Sequence, residues 1–224
     1  MLLAEELLLL LLDDDSGRTR VSEADKGLAG AVLIELAMLD RLRVAEKGET
    51  VRAGRLVLRP GPDPTHPVLA RALSLLSDKE GRKPDHVLGG LAKGLRERLA
   101  DGLVQAGVLR RERHKVLGLF PSERLPAQDS THEATLRQRI RAALDGAAPD
   151  ERTAALIALL SALNAVTTVL DVANKRAARR RAKEIAQGQW AAAAVRRAVE
   201  AVYAATAAAI AVTTAAGADG GGGG

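Results

Sequence analysis

There is no cysteine among the 224 residues. That excludes a disulfide framework, a thiolate metal site and a cysteine nucleophile, and it suits a reducing compartment. Aromatic side chains are nearly absent as well, Phe120, Trp190 and Tyr203 being the whole set. The core must then be built from Leu, Val, Ile and Ala, which fill the gaps between helices better than those between the strands of a sandwich. With 47% of residues apolar there is ample material for it.

Other absences narrow the function. Residues 1–12 are apolar except for Glu5 and Glu6, but they lack the positive n-region and small-residue cleavage site of a signal peptide, so no export is expected. Charge is missing over Thr153–Leu170 and Ala201–Ala218, 18 residues each, a length at which a spanning helix must be weighed. The first carries Ser161, Asn164, Thr167 and Thr168, and the second is mostly Ala and Thr. Buried bundle helices are the expectation for both.

No catalytic or cofactor signature appears. His66, His86, His114 and His132 show neither metal spacing nor the context of a triad, and read as surface or loop histidines. There is no nucleophile elbow and no Walker loop. Gly89, Gly90 and Gly94 have the wrong spacing for a dinucleotide fingerprint, and no strand feeds them. Asp13, Asp14 and Asp15 lack the Gly and distal Glu of a calcium loop and read as a solvated turn. Neither a metal nor a cofactor is expected, nor an enzyme. Anion binding by side chains is what remains.

What is present is a local excess of cations. From Arg82 to Arg124 ten Lys or Arg stand against five Asp or Glu, a surplus equal to the formal net charge of +5 of the whole chain. Within this stretch Leu91, Leu95, Leu99 and Leu103 recur every fourth residue and mark one buried helix face, while Lys93 and Arg96 project together from another. Gly107 stops the helix. Beyond it a hairpin is expected from about Glu112 to Glu123, with its turn at Arg113–His114 or nearer Gly118. Val116, Leu117, Leu119 and Phe120 would form an apolar edge rimmed by Arg110, Arg111, Arg113 and Arg124, suited to self-association or membrane insertion. Folding those four side chains back onto the preceding helix is an equally open reading. A second basic run, Lys175–Lys183, has six cations in nine residues; a solvated helix face is its plainer reading, a phosphate-facing patch the other.

Elsewhere Leu2–Leu12 reads as a buried helix, and Ser22 as the N-cap of a helix running to Leu39. Arg41–Ala45 and Arg55–Arg59 alternate as strands about a turn. Pro67 precedes a helix to Leu76, and Ser130 or Thr131 begins one containing Leu136, Ile140 and Leu144. The fold class is mainly α: a single globular helical domain, residues 1–216, with a small peripheral β element and a projecting β-hairpin. Residues 217–224 form a Gly-rich tail with little to bury. Arg outnumbers Lys by 25 to 8, which reflects GC-rich coding DNA more than a binding signature. A basic helix followed by a hairpin also describes a winged-helix nucleic-acid module, the principal alternative.

Three segments, EELLLLLLDDDSGR at 5–18, GLAGAVLIELAMLDRL at 27–42 and LRERLADGLVQAGVL at 95–109, together with the hairpin after them, resemble the Golgi phosphoprotein 3 family, or GPP34 domain, in a bacterial member. The resemblance runs from about Leu2 to Ala216. It implies a mostly helical, non-enzymatic, cytoplasmic protein peripherally associated with membrane. Such a protein binds phosphatidylinositol 4-phosphate and self-associates through its hairpin. Carried over position by position, Arg96 matches a lipid-pocket arginine and Lys93 keeps the charge of a second. Arg20 falls near the family's pocket tryptophan, and Ala29 replaces a further arginine. The implied partners are anionic lipid headgroups and another copy of the chain.

Overall fold

Eight of the eleven residues from Leu2 to Leu12 are leucine. Leucine is a strong helix former, and a helix apolar all round must be enclosed by others. Helix α1 (Leu3–Leu11) is accordingly buried at all nine positions. It packs against α2 (Ala24–Met38), α5 (Leu95–Gln105), α6 (Thr131–Leu144) and α7 (Glu151–Ala162). The N–H of Leu3, at the start of α1, donates to Oε2 of Glu35, near the end of α2, so the two central helices run antiparallel. The computed structural model describes residues 1–13, 17–116, 120–188, 200–205 and 207–208, with the side chains of 113–116 and 120–123 outside the description.

Around this pair the chain adds β1 (Leu42–Val44) and β2 (Leu56–Leu58), an antiparallel ribbon with Arg43 opposite Val57. Next come α3 (Pro67–Ser77) and α4 (Pro84–Ala92), both opening on a proline whose missing N–H would have had no helical acceptor. After α5 comes the hairpin of β3 (Glu112–Val116) and β4 (Phe120–Arg124). Helices α6, α7, α8 (Val166–Val169) and α9 (Lys175–Ala186) complete the body, and Val202, in the helical segment 200–205, joins the core. The protein is thus mainly helical, with small antiparallel β elements. Among the described residues no helix is long and apolar enough to cross a membrane.

Four helices end in the same way. After α5, Gly107 takes φ +73°, its N–H reaches the Val104 carbonyl and that of Val108 the Leu103 carbonyl. This is the paired bonding of a Schellman turn. Gly146 does the same after α6, while Asp40 and Asn164, at φ +54° and +52°, do it after α2 and α7. Short polar side chains tolerate the left-handed conformation that other non-glycine residues avoid.

Three expectations change. The basic helix is two helices, because Gly94 at φ +63° separates α4 from α5; the four leucines are buried on both sides of the break. The uncharged stretch 153–170 is buried as expected except around its polar residues Ser161, Asn164, Thr167 and Thr168, and Asn164 divides it into α7 and α8. At the start of α2 the N-cap is Glu23, not Ser22, and it makes no side-chain cap bond.

The hairpin register pairs Val116 with Phe120 and His114 with Ser122, so Arg113 and His114 lie within a strand and do not form the turn, while Gly118 is outside the described residues. Its base is tied down: Leu109 pairs with Ala127, Arg110 donates to the Pro126 carbonyl, and Leu109 is buried. Leu117, Leu119 and the side chains of Val116, Phe120 and His114 lie outside the described residues, as does the tail 217–224.

Asp150 caps α7, accepting from the Thr153 N–H at 2.7 Å and its hydroxyl at 3.0 Å. Burial works to raise its pKa, but these bonds, with Arg139 and the Arg152 N–H, outweigh it and hold the carboxyl below its usual range. A depressed carboxyl stabilises the fold above its unfolded pKa and ceases to do so as pH falls through the folded value. Asp150→Ala is expected to cost about 1 kcal/mol at pH 7. The difference from wild type should close below about pH 4 in urea titrations. An equal loss at both pH values would show that the capping charge contributes nothing.

Candidate anion-binding surface

Lys93 and Arg96 lie on either side of the Gly94 break. Lys93 is the last residue before the turn, at the C-cap of α4, and Arg96 is in the first turn of α5. Helix α5 begins without a side-chain cap, so the partial positive charge of its leading N–H groups adds to that of these two cations. Lys93 is exposed, with no carboxylate in ion-pair range among the described residues. Arg96, 40% exposed at its side chain, is shared between Asp25, 4.0 Å away in the first turn of α2, and Glu97 at 3.4 Å.

Arg20 lies in the segment that enters α2, but its N–H bonds to the Leu11 carbonyl and its guanidinium stands 3.5 Å from Asp13. Ala29 is fully buried in α2. The structure therefore sets Lys93 and Arg96 at one elbow and gives Arg20 a partner of its own.

In the second basic run, α9 buries Ala178, Ala182, Ile185 and Ala186 and turns its cations outward. Arg179 donates to the Thr167 hydroxyl at 2.8 Å, and Arg180 and Arg181 approach Glu184 at 3.8 and 3.5 Å. Lys175, Arg176 and Lys183 stay exposed. The run is thus an exposed basic helix face.

Two features escaped the sequence reading. The first is a buried ionic group. Arg152 bonds Glu6 at 2.7 Å and Glu35 at 3.0 Å, and these carboxylates are only 8% and 10% exposed. Burial raises the Glu6 pKa, and Arg152 does not fully bring it back. Two acids within a leucine helix were the available signal, since buried charges need partners.

The second feature is a cleft of about 760 Å³ between α1, α3, α5 and the start of α6, bordered by Glu5, His66, Arg71, Arg98 and His132. All four histidines read as isolated, yet two of them, His66 and His132, border this one cleft. His66 in front of Pro67 was a legible helix start, and its Nδ1 accepts the Val68 N–H at 3.3 Å. Among the described residues no cluster of His, Asp and Glu could hold a metal ion.

The leucine-rich first helix, the glycine-rich second one and the RERLA segment of α5 thus share one body with the hairpin, in the order the motifs suggested. The Golgi phosphoprotein 3 (GPP34) family model matches residues 3–202, beginning at the first residue of α1, and the chain belongs to that family.

Proposed function

We propose that the protein is a non-enzymatic peripheral membrane protein that binds anionic lipid headgroups at the α4–α5 elbow. The observation that carries this reading is the pairing of Lys93 and Arg96 at the uncapped start of α5. Membership of the family supports it, and phosphatidylinositol 4-phosphate is the headgroup that the resemblance suggests. Arg20 supplements the charge once Asp13 yields to a phosphate. The hairpin 112–124 serves a second copy of the chain or the bilayer surface. The elbow differs from a pocket of two arginines because Lys93 is a point charge without the planar fork of arginine.

Each cation at an anionic surface contributes about 1 kcal/mol. The double substitution Lys93→Ser with Arg96→Ser should therefore weaken co-sedimentation with vesicles containing phosphatidylinositol 4-phosphate by about 30-fold. Wild-type binding should also fall with added salt. Equal binding to neutral phosphatidylcholine vesicles, or none to any vesicle, overturns the proposal. Vesicles of phosphatidylserine at matched charge separate headgroup preference from simple attraction.

A further inference from the structure

The cleft bordered by α1, α3, α5 and α6 lies on a different side of α5's first turn from the elbow: Arg98, two residues beyond Arg96, borders it, whereas Arg96 does not. At about 760 Å³ it has the size of a small-molecule site. Its acids are already committed. Glu5 Oε2 accepts the Leu2 N–H at 2.8 Å, and its Oε1 lies 3.3 Å from His66 Nε2. Because His66 Nδ1 accepts from Val68, the imidazole proton sits on Nε2 and points at Glu5. Gly102 makes room for this arrangement, since a Cβ there would stand 3.2 Å from Glu5 Oε1. Asp101 is bound to Arg111.

The cations are not committed in the same way. Arg71 is exposed and has no carboxylate partner among the described residues. Arg98 gives one Nη2 hydrogen to the Lys93 carbonyl at 2.8 Å, and its Nε is buried without an acceptor. With no carboxylate paired to Arg98 among the described residues, an oxyanion in the cleft would meet an uncompensated guanidinium there. Arg71 and Arg98 together border both the cleft and the small recess beside it, so they act on one region. The cleft is also lined by the apolar side chains of Val68, Leu103 and Ala106.

We infer that this cleft is a second binding site, independent of the elbow, for an amphiphilic anion. The phosphate or carboxylate head lies against Arg71 and Arg98, and the apolar body lies along Val68, Leu103 and Ala106. His66, fixed by Glu5, offers no free acceptor to repel the head. The occupant is either a free phosphomonoester or the head of a membrane lipid, and the same chemistry serves both.

Titration with hexyl phosphate, a soluble probe, followed by amide chemical shifts or calorimetry, tests this. Binding is expected by about 1 mM. Arg71→Gln should weaken it about tenfold by removing a charge-assisted contact. Ala106→Trp, at an exposed position of the wall, should abolish it with an unchanged thermal midpoint. The Lys93→Ser, Arg96→Ser protein should keep the hexyl phosphate binding that Arg71→Gln weakens and Ala106→Trp abolishes, which separates this site from the proposed elbow. If the free probe fails but vesicle binding is lost in both Arg71→Gln and Ala106→Trp, the cleft takes a lipid head. If neither probe nor vesicle responds to these two substitutions, or if only the elbow variant affects hexyl phosphate, the inference is wrong.

Discussion

Arg152→Met is expected to lower the free energy of unfolding at pH 7 by about 3 kcal/mol, the scale of stripping one partner from a buried ionic group. The guanidinium reaches Glu6 on α1, Glu35 on α2 and the Met1 carbonyl from its place in the first turn of α7. Glu35 in turn accepts the Leu3 N–H. One side chain thus ties three core helices, and methionine would fill its volume while leaving two buried carboxylates side by side.

Without its counter-charge Glu6, already raised by burial, should titrate higher still in the folded variant. Its ionisation then opposes folding at pH 7, and the loss of stability should shrink as pH falls toward about 4. Glu6→Gln is the contrasting case. Burial already raises that carboxyl, so removing its charge while keeping an acceptor for Arg152 should change stability by less than about 1 kcal/mol. Urea titrations of the three proteins at pH 7 and pH 5 would check this. A pH-independent deficit in Arg152→Met would point to lost packing instead.

This ionic group also marks where sequence reasoning stops. Glu6 and Arg152 are 146 residues apart, and no periodicity connects them. The leucine pattern was legible because burial follows helix period. It could not reveal the break at Gly94, since Leu91 on α4 and Leu95, Leu99 and Leu103 on α5 face the same core. A spacing of four also exceeds the helical period of about 3.6, so a straight helix would have drifted away from one face. Gly94 was the residue that could absorb the difference.

The site was legible in a similar, partial way. Lys93 and Arg96 were found from their spacing and from the motif around them. Their partners were not, because Asp25 reaches Arg96 only through the packing of α2 against α5. Ala29, which the resemblance aligned with a pocket arginine, is buried in α2. The histidines were judged singly, and the meeting of His66 and His132 at one cleft depends on α3 and α6 converging on α1 and α5.

Gly27→Leu and Gly89→Ala should move stability in opposite directions, although both replace a glycine inside a helix. A side chain in place of glycine gains up to about 1 kcal/mol of helix propensity in either position. At Gly89 nothing lies within 4 Å of where Cβ would be, so the gain should appear in full as a raised unfolding midpoint. At Gly27 the added Cβ would lie 2.6 Å from Leu163 Cδ1, 3.1 Å from Cδ2 and 3.2 Å from Cγ. With three atoms of one isobutyl group in the way, a rotamer change does not clear the space. Leu163 is buried at the end of α7, pinned by the left-handed turn at Asn164. The remaining route is to move α7 off α2, which would also pull Arg152 from Glu35. Overpacking of this kind reaches about 3 kcal/mol and exceeds the propensity gain. Gly27→Leu should therefore unfold at markedly lower denaturant, and adding Leu163→Ala should restore most of the loss. A Gly27→Leu protein as stable as wild type, or one that Leu163→Ala fails to rescue, would mean that α2 and α7 do not approach through this glycine.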